Sequence, residues 1–155
     1  MSGAARGEQG PAARAAGLAA LGLPEGEYTL SRASHDALVR ASGALPDRWP
    51  DPHPILASTA TLAATGLGIA ELCRIAGWAI EAGPMLGECR LDFRGRLRFD
   101  VRYRVTRQLL SLERKASARF GAMDRLRFVA TLHDPEHGAV AAVTYTWLLP
   151  RRDAA

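Results

Sequence analysis

HPILASTATLAAT, residues 53–65, is the stretch whose reading decides the fold. Pro50, Asp51 and Pro52 keep the chain extended up to it, and Pro54 has no amide hydrogen to lose at a first helical position. The spacing predicts a helix that begins at or near Pro54. Ile55, Ser58, Thr59, Leu62, Thr65 and Ile69 fall along one face, while Leu56, Ala57, Ala60, Ala63 and Ala64 leave the other faces small and uncharged. A helix without a charged face is read as buried. Gly66 and Gly68 interrupt it, and a second helical segment is expected from Ile69 to about Ile80, with Gly77 inside it.

Beyond Gly83-Pro84 the period of the apolar residues changes to two. Phe99, Val101, Tyr103 and Val105 point one way and Arg98, Asp100, Arg102 and Arg104 the other, which predicts a half-buried antiparallel strand. Leu126, Phe128, Ala130 and Leu132 alternate in a second strand. Residues 134–138, DPEHG, read as a hairpin loop, and residues 139–149 as a last strand stopped by Pro150. About four or five long antiparallel strands are expected between 85 and 149. The fold class is α+β: a curved antiparallel sheet wrapped around one long central helix. Its edge strands stay open, and pairing with a second copy or a related chain is the expected remedy.

Upstream, residues 1–24 are rich in Ala, Gly and Arg and poor in large apolar groups, so a flexible N-terminal tail is expected there and one domain over 25–152. Glu27 to Leu30 reads as a short strand. Ser31 or Ser34 can cap a helix with apolar positions Ala37, Leu38 and Ala41 that ends at Gly43, before a Pro-rich loop over 45–52. At 155 residues the chain fits one domain, 48% hydrophobic and 23% charged. No apolar run reaches the roughly 18 residues that would span a bilayer, so no membrane segment is expected. Cys73 and Cys89 cannot make a disulfide framework, and nothing resembles a secretory signal; a reducing, cytoplasmic setting is expected. The net charge of +4 comes from arginine, with Lys115 the one lysine. It favours anionic ligands, but no recognition motif accompanies it, and nucleic acid is not the expected partner.

The chain resembles the hotdog fold, and within it the MaoC-like family of hydratases and dehydratases that act on acyl thioesters. The resemblance covers roughly residues 28–151. It rests on LSRASHDALVRASGA (30–44) as the family's first helix, DPHPILASTATLAA (51–64) as the entry to the central helix, and GECRLDFRGRLRFD (87–100) before a long strand. MDRLRFVATLHD (123–134) and the terminal TWLLPR (146–151) complete the order and spacing. In active members an Asp follows the Gly that ends the first helix and a His comes five residues later. Here Gly43 is followed by Ala44, and Trp49 stands at the position of the His. The residue after the His that opens the central helix is commonly Gly, whose amide can polarise a thioester carbonyl. Pro54 has no such amide, so the donor must move to Ile55 or beyond.

The resemblance therefore implies a single hotdog fold that handles an acyl group on coenzyme A or an acyl carrier protein, as a homodimer or a heterodimer with another hotdog chain. The expected reaction is reversible dehydration of a 3-hydroxyacyl thioester or hydration of the enoyl form. The alternatives are a non-catalytic hotdog subunit that binds the acyl chain beside a catalytic partner, like the inert half of double-hotdog members, or an acyl thioesterase. For catalysis by this chain, His53 is the candidate acid or base and Asp47 or Asp51 its support; Asp51 and His53 are alternatively a cap and a packing group at the helix start. Ile55, Ser58, Trp49, Arg96 and Arg98 are the candidate substrate-binding residues.

His35 and Asp36, adjacent on a short helix, are expected to face apart on the surface. His133 and His137 read as solvated turn residues without further metal ligands, and neither a metal nor a cofactor is expected. Glu71 is a weaker acidic candidate. Arg90, Arg94, Arg96, Arg98, Arg102, Arg104 and Arg107 suit phosphates or an acidic carrier, or form an ordinary solvated strand surface. Trp49, Trp78 and Trp147 read as packing residues.

Overall fold

The computed structural model describes residues 10–21, 23–64, 68–75 and 77–151. In chain order these form α1 (Pro11–Leu21), β1 (Gly26–Thr29), α2 (Arg32–Ala41), a 3-10 turn (Pro46–Arg48), α3 (Leu56–Ala63), α4 (Ile69–Ile75) and a second 3-10 turn (Ile80–Ala82). Four long strands follow: β2 (Met85–Phe93), β3 (Arg102–Ser117), β4 (Gly121–Asp134) and β5 (Gly138–Arg151). With β1 they make one antiparallel sheet in the order β1-β3-β4-β5-β2.

The period-two pattern sets the two faces. Leu126, Phe128, Ala130 and Leu132 of β4 are buried, and so are Val143, Tyr145 and Leu149 of β5. Register places Phe128 opposite Tyr145, their rings stacked 5.1 Å apart, and each such aromatic removed from water contributes roughly 2–3 kcal/mol. α3 lies on this face. Its buried residues are Leu56, Ala57, Ala60 and Thr61, and the two alanines let its backbone come close to the sheet. The pairing register shifts at Leu86/Glu88, Leu109/Ser111 and Leu132/His133.

Several sequence expectations change. The central helical stretch is two segments, α3 and α4, with α4 starting at Ile69 as expected; residues 65–67 lie outside the described residues, and α4 ends at Ile75 ahead of Gly77 with φ 70°, short of the expected Ile80. The helix, expected to be buried all round, is covered along Leu56, Ala57, Ala60 and Thr61, and Ile55 on another face is 42% exposed. The strand expected from Phe99 begins at Arg102: Asp100 turns the chain at φ 58°, and its amide donates to the Leu30 carbonyl. Pro150 does not stop β5. The last residue of β5 paired to β2 is Leu148, so at Pro150 the ladder runs to β4 alone.

The tail reading also fails over part of its length, since Pro11–Leu21 is helical and packs on β3. Arg14 of α1 reaches the buried Asp124 of β4 at 3.1 Å. In α2, Ser31 Oγ accepts the Ser34 amide and Gly43 follows the helix at φ 79°, as its residues imply. The buried face of that helix, however, is His35 and Val39.

Candidate functional site

The site region is the entry to α3. Trp49 packs edge-on against the His53 ring at 4.2 Å between centroids. His53 Nδ1 accepts the Ile55 amide at 3.2 Å. The next amides are also taken: Leu56 donates to the His53 carbonyl, Ala57 to that of Pro54 and Ser58 to that of Ile55. One ring nitrogen of His53 and the amide that would polarise a carbonyl are thus bonded to each other.

Neither candidate carboxylate meets His53. Asp51 forms an ion pair with Arg96. Asp47 lines a separate cleft of about 380 Å³ with Arg32, Asp36 and Arg40. Two adjoining clefts of about 340 and 280 Å³ share Asp51, Gly95, Arg96 and Leu97; Trp49 and Pro54 line the smaller, Arg98 and His137 the larger. The structure therefore brings together Trp49, Asp51, Arg96 and Arg98 and leaves Asp47 apart. Ile55 is exposed, whereas Ser58 turns toward the sheet.

Ser58 belongs to a polar cluster that sequence reasoning missed. Its Oγ lies 2.9 Å from the Tyr145 hydroxyl, which is 2.8 Å from Thr61 Oγ1, and Thr61 in turn donates to the Ser58 carbonyl. Cys89 Sγ lies 3.9 Å from Ser58 Oγ. Burial raises the Tyr145 pKa, and the bonds to Ser58 and Thr61 oppose the rise. The available signal was a lone Tyr at an inward position of an apolar strand, where a hydroxyl needs partners.

The remaining candidates resolve individually. His35 is fully buried, not a surface residue, and its Nδ1 lies 2.9 Å from Asp36 Oδ1, so the two neighbours do meet. His35 also packs edge-on against Phe99. His133 Nε2 lies 2.9 Å from Thr106 Oγ1, and its pKa is lowered by burial and by Arg104. Glu71 pairs with Arg74 on α4.

Asp134, Glu136 and His137 bring possible metal ligands within 4.8 Å of one another, which sequence alone did not indicate. Arg98 is the cation held there: it donates to both oxygens of Asp134 and pairs with Glu136. Burial pushes the Asp134 pKa up, but the Glu136 amide, Arg98 and His137 outweigh it and hold the carboxyl well below its ordinary range. Most of the expected arginine strip is locally neutralised. Arg90 pairs with Asp92, Arg102 with Glu27 and Arg104 with Glu25, while Arg107 points inward and is 9% exposed.

No protein-family model matches the chain, and no curated protein matches it by sequence. Solved structures do. A chain of the ChsH1-ChsH2 complex from Mycobacterium tuberculosis is 13% identical, with a TM-score of 0.71 over 93% of each chain. A monoamine oxidase regulatory protein from Archaeoglobus fulgius is 8% identical, with a TM-score of 0.59 over 83% of this chain and 88% of that one. The HadBC 3R-hydroxyacyl-ACP dehydratase complex from Mycobacterium tuberculosis is 10% identical, with a TM-score of 0.54 over 81% of this chain and 94% of that one. At these identities the likeness shows the fold alone, an α+β hotdog fold. Among the described residues, no helix is long and apolar enough to cross a membrane.

Proposed function

We propose that this chain is a MaoC-like hotdog subunit for acyl thioesters on coenzyme A or a carrier protein, and that it supplies an acyl-binding wall rather than the acid and base of hydration or dehydration. The observation that carries the reading is the bond from the Ile55 amide to His53 Nδ1, which takes up the candidate carbonyl donor and the ring nitrogen that a supporting carboxylate would hold. The missing carboxylate partner supports it, since Asp51 is bound to Arg96 and Asp47 lines another cleft. In this reading a second hotdog chain brings the catalytic pair and joins along β2. That strand is a sheet edge with Met85, Leu86 and Phe93 exposed, a surface that favours strand pairing. Two of the similar structures are themselves complexes. A reducing, cytoplasmic setting suits the free thiols of Cys73 and Cys89.

The test is loss of the conjugated enoyl absorbance of a crotonyl thioester, alongside calorimetric binding of the same compound. The expected result is binding without turnover by the purified chain, unchanged in His53→Ala. Hydration by the chain alone that disappears in His53→Ala would establish it as a self-sufficient hydratase and overturn the non-catalytic reading. Absence of binding, repeated with longer acyl chains, would overturn the acyl-thioester reading itself.

A further inference from the structure

Arg107 is a buried cation for which the described chain provides no counter-ion. The alternation that turns Tyr103 and Val105 inward also turns Arg107 inward, opposite Ala130 of β4. Its Nη2 donates to the Thr61 carbonyl on α3. Nε and Nη1 are sealed from solvent and have no acceptor among the described residues. Burial lowers its pKa, and the one group acting the other way is the Tyr145 phenol rather than a carboxylate.

The polar atoms nearby cannot make up the deficit. The Tyr145, Ser58 and Thr61 hydroxyls are bonded within their own cluster, and none is an anion at neutral pH. The two buried aspartates show the contrast, since Asp124 and Asp134 each face arginines. A guanidinium taken out of water with one hydrogen bond and no opposite charge is strongly disfavoured until an anion joins it. A neutral carbonyl would satisfy a nitrogen but leave the charge, whereas a carboxylate satisfies both.

We propose that Arg107 is the subsite for a carboxylate at the far end of the acyl group, so that the substrate class is the monothioester of a dicarboxylic acid. This rests on the acyl-thioester reading above. Arg107 touches Thr61, five residues and so about 7.5 Å along α3 from Leu56, which an acyl chain of about six carbons lying beside the helix spans. The anion belongs to a ligand between helix and sheet rather than to a chain joined at a sheet edge, because the Arg107 side chain lies on the face covered by α3, where it bonds Thr61.

The experiment is calorimetric titration of the full chain with adipoyl-CoA and hexanoyl-CoA, which match in length and differ in the terminal carboxylate. Wild type is expected to bind adipoyl-CoA roughly tenfold or more tightly than hexanoyl-CoA. Arg107→Met is expected to lose that preference and keep its affinity for hexanoyl-CoA, with circular dichroism confirming its fold. Equal binding of the two by wild type overturns the carboxylate subsite while leaving the acyl-thioester reading in place. A preference that survives in Arg107→Met overturns the assignment to Arg107. Binding of neither compound overturns both readings. If Arg107→Met does not fold, the wild-type comparison alone decides.

Discussion

Replacing Asp124 by Asn removes the charge that ties α1 to the sheet. The carboxylate is 1% exposed and accepts from Arg14 of α1 at 3.1 Å, Arg114 of β3 at 2.9 Å and Arg151 of β5 at 2.9 Å. The amide of Asn keeps the shape but can answer neither the charge nor all three guanidinium groups. Breaking a buried ion pair by neutralising one side costs about 3–5 kcal/mol. Arg114 is 39% exposed, so water takes over much of its share, whereas Arg14 at 9% and Arg151 at 17% are poorly solvated. The expected loss is therefore at the lower end, about 3 kcal/mol, which lowers the melting temperature of a domain this size by roughly 6–12 °C. Urea unfolding followed by tryptophan fluorescence measures it, with Trp78 beneath Arg151 as a nearby reporter. Arg14→Met and the double variant complete a cycle, in which the two substitutions are expected to be less than additive. A loss below about 0.5 kcal/mol, the range of ordinary surface substitutions, would refute the idea that this carboxylate holds the helix.

Two further outcomes follow from groups already described. Asp134 has a folded pKa below its unfolded one, so the unfolded chain binds the extra proton first and stability rises with pH through the acid range. The contribution is complete above the unfolded value, near pH 4, and fades as pH falls toward the lower folded value. Asp134→Asn should therefore flatten the acid limb of a stability–pH profile, and an unchanged limb would count against the assignment. Tyr145→Phe removes a hydroxyl bonded to Ser58 and Thr61 and should cost about 1–2 kcal/mol in urea unfolding. Little change there would mean that the cluster is stabilised mainly by the Thr61 bond to the Ser58 carbonyl, which the variant keeps.

Much of the sheet was legible because strand periodicity is a local property. Leu126, Phe128, Ala130 and Leu132 announce their buried face by alternation alone, and 134–138 announces its hairpin through Asp, Pro and Gly. Helices were less legible where neighbours decide their burial. Alanine-rich Pro11–Leu21 resembles a tail by composition, yet becomes a docked helix through Arg14 and Asp124, residues 110 apart in the chain. The 53–65 stretch marked a helix start correctly, but apolar residues all round it cannot say which stripe is covered, and the covered one is Leu56, Ala57, Ala60 and Thr61.

For the site, the absence of Asp and His at the family's usual places was visible in Ala44 and Trp49 without coordinates. That His53 accepts the amide of Ile55 instead of meeting Asp47 or Asp51 was not, because side-chain partners depend on how a loop folds back on its helix. Arg107 shows the division most clearly. Sequence placed it with the outward arginines by their clustering, and strand phase beside Tyr103 and Val105 put it inside. By itself the sequence determined most element types beyond residue 25, the antiparallel character of the strands and the missing dyad, since these follow from local period and identity. Only the tertiary structure decided which charges are paired, which helix face is covered and which buried cation meets no counter-ion among the described residues, since desolvation and ion pairing exist only once distant strands and helices meet.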